Sequence, residues 1–185
     1  VGKWGLEGVT VTGKRRSEKV YVALQRPLWA DSTAKKPGVD GASTARIGRY
    51  TPATGAWEWF GYGLESTSVA GDWLGLSEIT AVDDDTLAII ERDKQNGTTA
   101  AIKRVYTIDV PRQGVTGLSP VSPLRKRLVY DLLPALQAGH GWTQEKLEGF
   151  TIGADGRAYA VTDNDGLEDA TGETVFLDLG RAAKR

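Results

Sequence analysis

The sequence predicts an all-β chain, a β-propeller fragment of about three four-stranded blades with the last blade incomplete. Two observations carry this. Trp4, Trp73 and Trp142 stand 69 residues apart both times, and Thr10, Thr80 and Thr151 follow at spacings of 70 and 71. Each repeat then reads as a string of short runs rich in β-branched and aromatic residues, bounded by turn formers, which are strand signals. Four strands per unit, repeated around an axis, is the sequence pattern of propeller blades. A β-sandwich also uses many short strands, but it gives no reason for the 69-residue tryptophan spacing.

The elements follow in order. The first strand of each blade holds the aligned core: Leu6-Glu7-Gly8-Val9-Thr10, Leu76-Ser77-Glu78-Ile79-Thr80 and Leu147-Glu148-Gly149-Phe150-Thr151. Polar turns follow at 13–16, 83–85 and 153–156, and second strands at 20–24, 87–90 and 158–161. Third strands at 45–50, 104–110 and 174–179 alternate apolar and polar residues, as expected further from a buried centre. Fourth strands fit at 56–62 and 127–132, with a short helix around 133–138. The blades divide at 1–70, 71–139 and 140–185, all within one propeller domain. No fourth strand follows in the third repeat. Open sheet edges are an aggregation liability, so the expected partner is the remaining blades of the same propeller or another chain that completes it.

Composition narrows the function classes. The chain has 185 residues, 40% hydrophobic and 25% charged, with a net charge of −1. That is a globular composition, and it gives no electrostatic reason to expect nucleic acid or an acidic membrane. No apolar run approaches the ~18 residues that a membrane span needs. There is no Met, so Val1 reads as the start of a processed or truncated product. There is no Cys either, which excludes disulfides, thiolate metal sites and cysteine nucleophiles.

Candidate chemistry gathers at two levels of the channel. Glu7, Glu148 and, one position along, Glu78 begin three neighbouring inner strands beside the repeated threonines. Converging carboxylates and hydroxyls without thiols suit a hard cation such as Ca²⁺. The alternative is structural: Glu and Thr tie adjacent blades together through backbone N–H groups. The second strands end in Gln25-Arg26-Pro27, Glu91-Arg92-Asp93-Lys94 and Thr162-Asp163-Asn164-Asp165-Gly166, which share one mouth of the channel. Arg26 and Arg92 are candidates to grip a phosphate or carboxylate. Glu91, Asp93, Asp163 and Asp165 are candidate metal ligands. Alternation along a strand points Arg92 away from Glu91 and Asp93, so those acids are expected to need a cation. The lone His140 lies in a loop, and neither a Gly-x-Ser-x-Gly elbow nor a phosphate-binding glycine loop is present.

The order and spacing of these segments, with Ile90-Glu91-Arg92-Asp93 and Tyr159-Ala160-Val161-Thr162-Asp163-Asn164-Asp165, resemble the bacterial phytase-like β-propeller family. That family is described by an esterase-like activity of phytase. The resemblance runs over nearly the whole chain and covers roughly the C-terminal half of the family's domain. It implies an extracellular or periplasmic propeller that hydrolyses a small phosphorylated substrate, often with Ca²⁺. No catalytic set carries over. The enzyme reading is a metal-assisted phosphoesterase in which Arg26 or Arg92 neutralises the phosphate. Against it stands a non-catalytic propeller module that binds a ligand or protein. The near-neutral charge favours the module unless cations occupy the acids.

Overall fold

A computed structural model describes residues 4–31, 33–34, 36–140, 142–164 and 173–182. The first blade comprises β1 (Leu6–Thr12), β2 (Lys19–Leu24), β5 (Thr44–Thr51) and β6 (Ala56–Gly63), paired in that order. Between its second and third strands lies a two-stranded ribbon of β3 (Trp29–Asp31) and β4 (Lys36–Pro37) that the sequence pattern did not announce. The second blade runs β7 (Leu74–Ala81), β8 (Thr86–Asp93), β9 (Lys103–Asp109) and β10 (Lys126–Asp131), and is followed by α1 (Leu133–His140). The third has β11 (Lys146–Ile152), β12 (Arg157–Asp163) and β13 (Phe176–Arg181), with no fourth strand among the described residues. All strand pairs within the blades are antiparallel. The fold is all-β, built of the open four-stranded blades that the repeat predicts.

The repeated threonines join the blades. Thr10 Oγ1 accepts a hydrogen bond from Ala81 N (3.0 Å), and Thr80 Oγ1 donates to Phe150 O (2.8 Å). Ser77 Oγ donates to Leu147 O at 2.6 Å, and Leu76 N donates to Gln25 O at 2.9 Å. For Thr10 and Thr80, therefore, the structural reading holds. The tryptophans seal the same seams. Trp73 packs on Gly75 of its own blade, where an added Cβ would lie 2.8 Å from the ring, and carries Arg26 of blade one over its face at 4.4 Å. Trp142 covers Gly97 in the same way at 2.9 Å. Each ring thus lies against the exit of the preceding blade's second strand.

Two apolar cores lie between the blades. Tyr21, Ala23, Ile47, Phe60 and Tyr62 of blade one meet Leu76, Ile79, Leu87, Ile89, Tyr106 and Ile108 of blade two. On the other side of blade two, Ala88, Ile90 and Val105 meet Leu147, Phe150, Ala158 and Ala160, and Leu132 and Leu136 close the cluster. Each fully buried Leu, Ile or Phe contributes about 1.5–3 kcal/mol, so the faces between blades hold the stack together.

The expected apolar–polar alternation of the third strands does not hold for β5, which is almost wholly buried, with Arg46 and Arg49 included. The cause is the long β9–β10 connection, which crosses β6 and covers its edge. Trp59 and Val115 exchange backbone hydrogen bonds (2.7 and 2.9 Å), and Leu124 N donates to Gly61 O (2.9 Å). Gly61 permits this approach, since a Cβ there would lie 2.5 Å from Ser122 O. Arg46 pairs with Asp40 and donates to Gly117 O and Ser119 O; Arg49 pairs with Glu58 and donates to Pro111 O and Arg112 O. Buried arginines are tolerable because these partners satisfy them.

Candidate functional site at the channel mouth

Every first strand slips register near its start, blade one a position later than the others: between Glu7 and Val9, between Leu76 and Glu78, and between Leu147 and Gly149. A bulge inserts an extra residue and re-aims its side chain. In β11 the extra residue is Glu148, and in β7 it is Ser77. In β1 it is Gly8, at φ +72°, a conformation that favours glycine. The bulges set the inner ends of the strands, and there the chain forms an open polar cavity of about 400 Å³. Glu7, Trp4, Trp73, Arg92, Lys94, Glu145, Lys146, Glu148 and Asp163 line it.

Arg92 is its buried centre. Its Nη2 donates to Glu148 Oε1 at 2.6 Å, and Nη1 lies 3.5 Å from Glu145 Oε1. Its guanidinium stands 5.7 Å from the Trp73 ring, while its Nε is buried without a hydrogen-bond partner. Burial raises the carboxyl pKa of Glu148 above the ordinary value, partly offset by Arg92 and reinforced by nearby Glu7. Burial raises Glu145 as well, against the pull of Arg92. Lys94 and Lys146 complete a mixed rim of cations and acids.

The expected acids divide between the cavity and the blade interior. Alternation does turn Arg92 away from Glu91 and Asp93, but those two acids already have lysine partners. Glu91 Oε2 accepts from Lys126 Nζ (2.6 Å) and from Tyr62 OH (3.0 Å). Asp93 and Lys103 form a fully buried pair at 2.6 Å, and Asp93 also accepts from Ala101 N and Ile102 N. Neither lines the mouth cavity. Glu78 sits at the seam with blade one. Its Oε1 accepts from Ile79 N and stands where a Cβ on Gly8 would come within 2.7 Å. Burial raises its pKa, helped by Glu148. Arg26 stands over the Trp4 ring (5.0 Å) and the Trp73 ring (4.4 Å), which meet edge to face at 65°, and so makes cation–π contacts with both blades one and two. Asp165 and the side chain of His140 lie outside the described residues.

Ca²⁺ fits the described residues poorly. No group of three or more acidic or His side chains among them stands close enough to hold a metal ion. Glu145 and Glu148 instead face the Arg92 guanidinium.

A family model described as "Esterase-like activity of phytase" matches residues 1–166. The chain belongs to the phytase-like family. No curated protein and no solved structure matches it. In this phytase-like chain the cavity residues that sequence reasoning passed over are Lys94, Glu145 and Lys146. Lys94 follows Asp93 at a tip already singled out, and its charge was the available signal. Glu145 and Lys146 gave none, because only the bulge and the loop before β11 turn them to the mouth.

Proposed function

We propose that this phytase-like chain carries an ester-hydrolysing site for small phosphate monoesters at the mouth cavity. The observation that supports it is the convergence of Arg92, Lys94 and Lys146 with the buried Glu145 and the half-buried Glu148 on one open polar cavity. A phosphate dianion gains most where cations converge and water is partly excluded. The unpartnered Nε–H of Arg92 is a donor whose burial costs free energy until an oxygen accepts from it. Glu145, whose pKa burial raises, is suited to exchange a proton with the leaving oxygen. Arg26, in contact with the Trp4 and Trp73 rings, supports the wall and does not grip the phosphate in this reading.

Ca²⁺ remains an expectation from the family resemblance alone. An extracellular or periplasmic setting rests on the same resemblance. No helix among the described residues is long and apolar enough to cross a membrane. A binding module without chemistry is the second reading, favoured by the engagement of Arg92 with two carboxylates. Turnover of p-nitrophenyl phosphate and phytate, measured with and without Ca²⁺, separates the two. The enzyme reading expects release of phosphate; binding of phosphate without turnover supports the module.

A further inference from the structure

Asp72 organises the rim of the mouth cavity without lining the cavity itself. It stands half-buried in the connection between blades one and two, directly before Trp73. Its Oδ1 accepts from Lys94 N at 3.1 Å, and its Oδ2 accepts from Thr67 Oγ1 at 2.8 Å. Burial alone would raise this carboxyl. Hydrogen bonds from the Gln95 side chain, the Thr67 hydroxyl, Trp73 N–H and Lys94 N–H outweigh burial and hold the pKa below its ordinary value. The Asp72 charge also attracts Arg26, whose guanidinium stands 4.4 Å from the Trp73 ring. One carboxylate thus ties the 67–73 connection to the exit of β8, where Lys94 begins the loop.

Lys94 is the residue that needs such an anchor. It is exposed, one position past the end of β8. A flexible lysine stem on unfixed backbone would have to be ordered by the ligand, and that ordering costs affinity. Here the backbone is held on both sides of the side chain. Asp72 takes the Lys94 N–H, while Lys103 Nζ donates to Asp93 O at 3.1 Å and to Gln95 O at 2.8 Å. The ammonium acts at the cavity, since Lys94 is among the cations that oppose the burial raising Glu145.

We infer that Asp72 is a positioning residue of the anion site: it fixes Lys94 and Trp73 at the cavity wall and touches no ligand itself. This rests on the phosphate reading of the mouth cavity proposed above. By its charge alone, an acid beside an anion site weakens anion binding. As an anchor for a cation it strengthens binding. The two roles therefore predict opposite effects when Asp72 is removed.

Titration of inorganic phosphate into the wild-type, Asp72→Ala and Asp72→Asn chains separates the roles, with circular dichroism to confirm folding. Asp72→Ala is expected to weaken phosphate binding by about threefold to tenfold, the upper bound being the loss of one charge-assisted contact. Asp72→Asn keeps an oxygen for the Lys94 N–H and drops the charge, so it is expected to bind no more weakly than wild type. That nearly isosteric variant carries the test alone if Asp72→Ala does not fold. In a Lys94→Ala background, Asp72→Ala should still lower Tm but should cause no further loss of affinity, because residues acting through one contact are not additive. Unchanged or tighter binding by Asp72→Ala, weaker binding by Asp72→Asn, or an additive loss in the Lys94→Ala background overturns the inference alone. Failure of the wild type to bind phosphate overturns the proposed function, and this inference with it.

Discussion

Arg92 Nη2 of β8 lies 2.6 Å from Glu148 Oε1 of β11, so one guanidinium joins blade two to blade three at the mouth. The same side chain stands beside Glu145 and the Trp73 ring. The site is therefore also a seam, and changes there act on stability as well as on binding.

Arg92→Ala leaves Glu145 and Glu148 without their shared cation. Breaking a buried pair by removing one partner typically costs about 3–5 kcal/mol, and the partial exposure of Glu148 places this case near the lower end. Urea denaturation of the variant should show that loss. Arg92→Lys should recover part of it, because one ammonium cannot reach both carboxylates in the same geometry. Unchanged stability in both would remove Arg92 from the seam.

Thr10→Val should destabilise more than Thr80→Val. The first removes the acceptor of Ala81 N–H, leaving a donor unpaired at a cost of about 1–3 kcal/mol. The second removes a donor to Phe150 O, a carbonyl with a second lone pair for other partners. Equal losses would indicate that Ala81 N finds another acceptor.

Glu78→Gln should stabilise the fold at neutral pH. Burial raises the Glu78 carboxyl pKa above its ordinary 4.5. The folded state then favours the proton; its contribution is full below 4.5 and is lost as pH rises through the folded pKa. Gln keeps the acceptor for Ile79 N–H and carries no charge. Thermal melts should show the variant ahead at pH 7 and level with wild type near pH 4. A constant difference across that range would mean that charge is not the cause.

Lys103 gives the opposite window. Burial pulls its amine from 10.5 down to about 8, against the attraction of Asp93. Between these values the unfolded chain holds more protons, so this group's contribution to stability rises with pH from about 8 to 10.5. Lys103→Met should lose that slope, and at pH 7 it should cost several kcal/mol because Asp93 stays buried alone. A variant that keeps the slope would assign it to another group.

The blades were legible in the sequence because Trp73 and Trp142, with Thr10 and Thr80, form the seams between successive blades, and Trp4 and Thr151 hold the same places in their repeats. Repetition of a task leaves a period. The burial of Arg46 and Arg49 was not legible, since the 110–125 connection that covers them belongs to another blade and has no counterpart in blade one. The same limit applied to the acids. Sequence alternation separated Arg92 from Glu91 and Asp93, but Lys126 and Lys103 reach those acids across the sheet or from a neighbouring strand. The bulge that re-aims Glu148 depends on pairing with β12, which residue type alone does not reveal.

Binding of a phosphate ester by the cations of the mouth cavity is what the proposed function requires. Its most direct measurement is titration of inorganic phosphate into the wild-type chain and into Lys94→Ala/Lys146→Ala, with circular dichroism confirming that both fold. Two charge-assisted contacts of about 1.5 kcal/mol each predict a loss of affinity on the order of 100-fold. Equal affinity in the two proteins, or no phosphate binding by the wild type, would contradict it.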